Sequence, residues 1–401
     1  MIIRPVGKIN GSVDAPPSKS YTHRAFFAAY IAGKLRVEKP LICRDTIATV
    51  NALKSLGAEI SWEGITSVEE RPGNINAEES GTTARFALSI ASTIEGKSRI
   101  DGHRSLRRRP MLPLIKSLRD AGAFIISSGY LPVTVIGRKL KKNMLVDGGI
   151  SSQFVSSLLF VAAKNEGSLR VTRLISKGYV DMTIKVLENA GAKIRKENDT
   201  IHVDSPPRGG KILVPGDYSS ASFFLAAGAL HGRIRVNNLQ RHDVQPDMKI
   251  LEILEKFGAK IRRGENYVEV ESNMLEGLDV DCTEHPDLFP VLAVVAAYSS
   301  GTTVLRGKQL RYKESDRIRS MALELRKMGA EVKEKEESLI VKGGKKLRGA
   351  VVDSHGDHRI AMALSIAALG AEGISKIEGS ECVEKSYPRF FEDLRRVIDD
   401  R

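Results

Sequence analysis

Two apolar patterns alternate along the chain. In the first, almost every position is apolar behind a short run of Ser, Thr, Asp or His. The copies begin SKSYTHRAFFAAYIA at Ser18, SGTTARFALSIAS at Ser80, SSQFVSSLLFVAA at Ser151, YSSASFFLAAGAL at Tyr218, HPDLFPVLAVVAA at His285 and HGDHRIAMALSIAAL at His355. A helix that is apolar all round is a buried one, and small polar residues cap helix starts, so each copy predicts a buried helix with an accessible N-terminus. In the second pattern apolar residues recur at three- and four-residue steps and stop at a Gly-Ala pair, as in ALKSLGAEI, IKSLRDAGAFI, IKVLENAGAKI, ILEKFGAKI and LRKMGAEV. These predict amphipathic helices closed by Gly57, Gly122, Gly191, Gly258 and Gly329, each followed by a short strand. The glycines are spaced 65, 69, 67 and 71 residues apart, and FFEDLRRVI supplies a sixth helix at the end.

Strand patterns follow the buried helices in phase: LRVEKPL, KSRIDGH, SLRVTRL, GRIRVNNL, TTVLRGK and SKIEGS. The repeating unit is strand, buried helix, strand, capped helix and further strand, used six times. A chain of 401 residues is too long for one ordinary domain, and six such units fill two domains of three. The Pro- and Gly-rich stretch SPPRGGKILVPGDYSS is the expected linker, and the opening stretch MIIRPVGKINGSVDAP is a strand that can join the later domain. A repeat of this length is longer than that of most solenoids, the non-catalytic alternative.

Composition narrows the class. No apolar run reaches membrane-spanning length, the N-terminus has no signal-like stretch, and Cys43, Cys282 and Cys382 stand alone. A reducing cytosol is expected, with neither disulfides nor a zinc site. With 62 Lys+Arg against 49 Asp+Glu the formal charge is +13, which suits nucleic acid, an anionic surface or a small polyanionic substrate. Aromatic residues make up only 5%, too few for single-strand stacking platforms.

The location of the charge decides. Stacked helix N-termini make an anion site, and the predicted starts carry the candidate chemistry: Lys19, Ser20 and Arg24; Gly81 with Thr82 and Arg85; Arg109 after a basic run; Ser151, Ser152 and Gln153; and Ser176 before Lys177. In the second half Asp287 and Glu314 are carboxylates beside His285, Lys313 and Arg317, followed by Asp357, His358 and Arg359 and then Lys385. Capping is the plain alternative for Asp287, Glu314 and Asp316, and a buried core histidine for His358. The chain lacks a P-loop, a dinucleotide fingerprint, HExxH and a nucleophile elbow. Hydroxyls, cations and two carboxylates suggest group transfer between small anions, driven by positioning and electrostatics.

The motifs SKSYTHR, SGTTAR, RRP, SSQF, SKGYVD, HPDLFPVLA, RYKESDR, GDHRIAM and EKSYPRF, running from residue 18 to residue 391, resemble those of the 5-enolpyruvylshikimate-3-phosphate synthase family. The resemblance implies an α/β fold of two domains, each of three βαβαββ units with buried parallel helices whose N-termini face an interdomain cleft. The expected domains are 15–214, and 1–14 with 215–401. It implies transfer of the carboxyvinyl group of phosphoenolpyruvate to the 5-hydroxyl of shikimate 3-phosphate through a tetrahedral intermediate, in aromatic amino-acid biosynthesis, with no cofactor and no metal. Shikimate 3-phosphate is then expected on Lys19, Ser20, Arg24, Ser151, Ser152, Gln153, Ser176, Asp287 and Lys313. Phosphoenolpyruvate is expected on Lys19, Gly81, Arg109, Gln153, Arg317, Arg359 and Lys385. Asp287 becomes the base, and Glu314 with Lys19 the proton donor.

The chain departs from that pattern in three places. Glu79 stands for the usual Asn and puts an acid beside an anion site, Gly178 stands for Pro and is expected to loosen its turn, and Gln309 stands for Asn. Gly81 and its small neighbour Ser80 imply glyphosate susceptibility. The rival within the fold is the enolpyruvyl transferase acting on UDP-N-acetylglucosamine, which commonly carries a mobile-loop Cys that Cys43 does not match. A basic nucleic-acid-binding repeat protein is the rival of another class. A cytoplasmic monomer working on two small molecules, without nucleic acid or membrane, is expected.

Overall fold

A computed structural model describes residues 1–399. In chain order its α-helices are α1 Lys19–Ala32, α2 Arg44–Ser55, α3 Gly81–Ala91, α4 Leu112–Asp120, α5 Ser152–Asn165, α6 Lys177–Asn189, α7 Tyr218–His231, α8 Ile250–Phe257, α9 Phe289–Tyr298, α10 Arg317–Lys327, α11 His358–Leu369 and α12 Phe390–Asp399. The odd-numbered helices are the all-apolar ones. α7 is buried continuously from Tyr218 to Ala229 and α11 from His358 to Leu369. After α2, α4, α6, α8 and α10 the glycines 57, 122, 191, 258 and 329 take φ of 98, 116, 91, 113 and 85°. That left-handed geometry closes a helix without a Cβ clash.

The chain divides into two compact units, one Pro17–Pro215, the other Met1–Pro16 with the chain from Gly216 onward. Within Pro17–Pro215 the sheets share one plan. Asn74–Asn76, Gly96–Asp101, Val133–Gly137 and Phe124–Ile126 lie in that order, as do Asn143–Gly148, Ser168–Leu174, Thr200–Ser205 and Lys193–Glu197. The first pair of each is parallel and the later pairs antiparallel. A parallel pair needs a crossover, and the buried helix is that crossover.

The first repeat obeys the plan with a borrowed strand. Lys211–Leu213 pairs in parallel with Leu35–Glu38, the strand behind α1. Ile9–Asp14, the strand ahead of α1, pairs instead with Gly232–Asn237, the strand behind α7. The two units have exchanged opening strands, which is why the chain changes unit at Pro16–Pro17 and again at Pro215–Gly216. The expected linker stretch contains the crossing at Pro215–Gly216, but part of it is a sheet strand: Lys211–Leu213 pairs with the strand behind α1, and Val214 N donates to Glu38 O at 2.9 Å. The opening stretch is two strands rather than one. Ile2–Ile3 pairs antiparallel with Ser375–Lys376, completing a three-stranded sheet in the sixth repeat. That repeat ends on α12, which lies so close to Ile9–Asp14 that a Cβ on Gly11 would sit 3.2 Å from Val397 Cα.

One phenylalanine from each buried helix of Pro17–Pro215 meets at the centre: Phe27 to Phe86 at 5.2 Å, Phe27 to Phe160 at 5.7 Å and Phe86 to Phe160 at 5.0 Å between ring centroids. Aromatic burial of this kind adds about 0.5–1.5 kcal/mol per pair beyond the area hidden. In the other unit Phe224 of α7 packs on Tyr387 and Phe390 instead, at 6.0 and 5.6 Å. Among the described residues no helix is long and apolar enough to cross a membrane.

Candidate active site

Within Pro17–Pro215 the three buried helices start on serine. Ser18 Oγ accepts from Tyr21 N at 3.4 Å, Ser80 Oγ from Thr83 N at 3.2 Å and Ser151 Oγ from Gln153 N at 3.3 Å. Side chains then tie these starts to one another. His23 Nδ1, Thr49 Oγ1, Thr83 Oγ1 and Ser80 Oγ form a buried chain with 2.7 Å between successive atoms, linking α1, α2 and α3. Gln153 Nε2 donates to Thr82 Oγ1 at 3.2 Å while Arg85 donates to Gln153 Oε1, joining α3 to α5. Burial, reinforced by Lys19 and Arg24, holds the His23 pKa well below its usual value, so this ring is neutral.

Gly81 opens α3 beneath two guanidinium groups. A Cβ there would lie 2.6 Å from Arg109 Nη1 and 2.8 Å from Arg85 Nη1. Only glycine leaves both cations that close to the helix N-terminus, where an anion gains from the dipole as well. Lys19 Nζ lies 2.7 Å from Asp45 Oδ2. Arg24 is 2% exposed, and its guanidinium donates to Thr183 Oγ1 at 2.8 Å, Ser20 O at 2.9 Å and Tyr179 O at 3.0 Å. Burial lowers its pKa to about 10, against the tyrosines Tyr179 and Tyr21, so it stays charged at neutral pH. Ser176 precedes α6 in the left-handed region at φ 53°, an uncommon place for a residue with a side chain.

In the other unit the centre is Arg317, fully buried at the first position of α10. Its Nε meets Asp357 Oδ2 at 2.9 Å, Nη1 meets Asp287 Oδ1 at 2.7 Å, and Nη2 meets Glu314 Oε2 at 2.8 Å. Arg359 Nη2 approaches Asp287 Oδ2 at 2.9 Å, and Lys313 Nζ stands 3.8 Å from Asp287 Oδ1. Burial favours the neutral acid at Asp287. Arg359, Lys313 and Arg317 outweigh it, despite the repulsion of Glu314, and hold the carboxyl well below the usual carboxylate range. Lys385 Nζ donates to Gly356 O at 2.7 Å, and Asp357 caps α11 by accepting from Arg359 N at 3.0 Å.

Capping as the explanation of Asp287 fails, because α9 begins at Phe289 with Leu288 at the cap position and no side-chain cap bond. Neither His285 nor His355 caps a buried helix: Asp357 caps α11, and Pro290 in the first turn of α9 removes one of the donors a cap would satisfy. Asp316 is a cap, accepting from Arg319 N at 3.1 Å. The turn that Gly178 is expected to loosen is the first turn of α6. Glu79 accepts from Ser105 Oγ at 2.8 Å and faces His103 Nδ1 at 3.6 Å, so its charge ties down the chain ahead of Arg109. Gln309 Nε2 donates to Thr283 O at 2.8 Å and holds the segment leading to Asp287.

Two participants, Asp45 and Asp247, escaped the sequence pattern, and a third, Arg85, stands in it without an assigned role. Asp45 partners Lys19, Arg85 stands with Arg109 over Gly81, and Asp247 is buried in the 3₁₀ turn Pro246–Lys249. Burial and the repulsion of Asp287 push the Asp247 carboxyl up to about 6, against the pull of Arg359. Arg85 lay in view within SGTTAR. Asp45 and Asp247 are isolated carboxylates that become notable only through neighbours distant in sequence.

Comparison with known proteins gives the class first: the fold is that of the enolpyruvyl transferases. The chain is similar to the enolpyruvyl transferase NikO from Streptomyces tendae at a TM-score of 0.81, covering 99% of this chain and 96% of that one, at 18% identity, a likeness of fold alone. It is similar to EPSP synthase from Acinetobacter baumannii at a TM-score of 0.78 and 28% identity, covering 99% and 97% of the two chains. Residues 3–394 match the family described as EPSP synthase (3-phosphoshikimate 1-carboxyvinyltransferase). The 3-phosphoshikimate 1-carboxyvinyltransferase of Thermococcus kodakarensis is 50% identical over 402 residues, covering 100% of both chains, and that of Pyrococcus furiosus is 49% identical over 406 residues, covering 99% of both. The chain belongs to the EPSP synthase family, transferases of the shikimate pathway that serves aromatic amino-acid biosynthesis. Action on UDP-N-acetylglucosamine is not favoured.

Proposed function

We propose that the chain transfers the enolpyruvyl group of phosphoenolpyruvate to the 5-hydroxyl of shikimate 3-phosphate with release of phosphate, using the residues named from the sequence. The observation that carries this is the Asp287 carboxylate held between Arg359 and Arg317, with Glu314 on the same Arg317 guanidinium. Asp287 is the base for the 5-hydroxyl. With three cations around it the carboxylate binds a proton poorly, which suits the resting enzyme but not the reaction. Substrate anions on Arg359 and Lys313 draw those cations' charge to themselves and raise the proton affinity of Asp287 when the hydroxyl is in place.

Glu314, with Lys19, delivers the proton to the methylene carbon of phosphoenolpyruvate. The 5-oxygen bonds to the adjacent carbon, and the tetrahedral ketal then loses phosphate as a proton leaves the methyl carbon, restoring the enol ether. Arg109, Gly81, Gln153, Arg317, Arg359 and Lys385 hold phosphoenolpyruvate, a set of cations matched to a phosphate and a carboxylate. Ser20, Arg24, Ser151, Ser152, Ser176 and Lys313 hold shikimate 3-phosphate. Turnover requires both constellations to act on one substrate pair, each from its own three-repeat domain, and the enzyme works as a cytoplasmic monomer. Inorganic phosphate should appear only when both substrates are supplied. Release with UDP-N-acetylglucosamine in place of shikimate 3-phosphate, or none with either, would overturn the assignment, and sedimentation as a dimer would overturn the monomer.

A further inference from the structure

The chain between the strand Val351–Asp353 and α11 is a four-residue turn, Ser354 to Asp357, closed by Asp357 N donating to Ser354 O at 2.9 Å. Its two central residues, His355 and Gly356, both take positive φ, 52° and 68°. Positive φ at both centres marks the type I′ turn, whose preferred sequence is Asn-Gly. Gly356 meets that demand, whereas His355 carries a Cβ into a region that Gly, Asn and Asp fill more readily.

The histidine gains a partner there. His355 Nε2 lies 2.8 Å from Glu324 Oε1, and Glu324 is 1% exposed on α10. The other carboxylate oxygen accepts from Asp353 N at 2.9 Å, and Lys327 Nζ approaches both oxygens at 3.0 and 2.8 Å. Glu324 stands seven residues after Arg317, two turns along one face of α10. Arg317 holds Asp357 at the far end of the turn. One helix therefore grips the turn at both ends. The turn in turn sets Lys385 through Gly356 O, and Gly379, which opens the 3₁₀ segment bearing Lys385, through Ser354 Oγ donating to Gly379 O at 3.0 Å.

We infer that Glu324 and His355 are a positioning pair that fixes the Ser354–Asp357 turn and, through it, the placement of Arg359 and Lys385 for phosphoenolpyruvate. This rests on the proposed function for its substrate and on geometry alone for the turn, so the two are tested apart. His355→Asn and His355→Gly keep a residue that accepts positive φ and remove the reach to Glu324, so folding is preserved. Glu324→Gln keeps the volume and removes the charge.

Amide hydrogen exchange without substrate reads the turn: exchange at Gly356 and Asp357 should quicken by about tenfold in Glu324→Gln and His355→Gly, and by less in His355→Asn, whose Asn-Gly pair suits a type I′ turn. Steady-state kinetics read the consequence. KM for phosphoenolpyruvate should rise about tenfold while KM for shikimate 3-phosphate stays within about twofold, and the His355→Asn, Glu324→Gln double variant should be no worse than the poorer single one. Unchanged exchange, an unchanged KM for phosphoenolpyruvate, or both KM values rising together with a fall in melting temperature would overturn the pair. A wild-type chain that releases no phosphate would defeat the functional assignment instead, and with it the kinetic half of the inference, while the exchange data still decide the clamp.

Discussion

The two units solve the same packing problem and then use their helix starts in opposite ways. In Pro17–Pro215 the buried helices are capped by neutral hydroxyls, Ser18, Ser80 and Ser151, and Arg24 and Arg85 donate to hydroxyl, amide and carbonyl oxygens. In the other unit α7 and α11 are capped by Asp217 and Asp357, α9 by no side chain, and Arg317 is enclosed by Asp287, Glu314 and Asp357. Arg24, facing neutral acceptors, keeps most of its charge for an incoming anion, while Lys19 of the same unit is paired with Asp45. Asp287, locked to a buried guanidinium, stays ionised and aimed, which is what proton transfer needs. The repeat supplies the scaffold, and the two carboxylates proposed for proton transfer lie in the unit whose capped buried helices start on Asp.

The harshest way to break that division is Asp287→Ala. Turnover should fall by about 10²–10⁴, the usual contribution of a positioned general base. Thermal stabilisation by shikimate 3-phosphate should survive, because most of the residues proposed to hold it lie in the other unit. Loss of folding rather than of turnover would make Asp287 a structural residue. Next comes the pair Arg317→Met and Arg24→Met. Removing Arg317 takes the shared guanidinium from three carboxylates, of which Asp357 is fully buried, and should cost about 3–5 kcal/mol in denaturant melts. Arg24 leaves only neutral acceptors behind, and its loss should cost about 1.5–3 kcal/mol. Equal costs would mean that the contrast between the units has no energetic meaning.

Much of this contrast is legible in the amino-acid sequence, for a physical reason. A buried helix must be apolar all round and its start must satisfy its own N–H groups, so SKS, SGTT and SSQ announce both an element and a cap. Gly57, Gly122, Gly191, Gly258 and Gly329 end helices where the pattern puts them. Hidden from the sequence was everything that depends on a distant partner. A period-two pattern marks Ile9–Asp14 as a strand that can join the later domain, but it does not pick out Gly232–Asn237 as the partner strand. Leu288 carries no capping group, so the true start of α9 could not be read from HPD. Asp45 and Asp247 have no motif, and only the tertiary fold makes one the partner of Lys19 and the other the neighbour of Asp287.

Asp247 offers a finer test of the charged unit through pH. Its carboxyl is raised to about 6 in the folded chain, against about 3.9 unfolded. A raised acid stabilises the fold when protonated, so its contribution is present below pH ~4 and is lost as pH rises through about 6. Asp287, held low, works the other way and loses its contribution only as pH falls below the ordinary carboxylate range. His231 and His285, both pushed down to about 4 by burial, also weaken the fold on acidification, so wild type must be compared with Asp247→Asn. The variant should be more stable than wild type at pH 7.5 by roughly 1–3 kcal/mol, with the difference closing by pH ~4. A constant difference across that window would mean that Asp247 does not titrate there.

The smallest effect probes the neutral unit at its most strained helix start. Gly178 lies in the first turn of α6 with a helical backbone, and the left-handed residue at that start is Ser176, at φ 53° and ψ 49°. A glycine in a helix gives up more chain entropy on folding than alanine does, so Gly178→Ala should stabilise Pro17–Pro215 by about 0.5–1 kcal/mol in denaturant melts. If Ser176 alone sets the turn, the KM for shikimate 3-phosphate should stay within about twofold, since a change at Gly178 leaves the Ser176 backbone where it is. A larger rise in that KM, with stability gained as expected, would mean that substrate comes too close to Gly178 to admit a methyl group. The first turn of α6 would then be a binding surface in its own right, and the neutral unit would depend on glycine at two helix starts, Gly81 and Gly178.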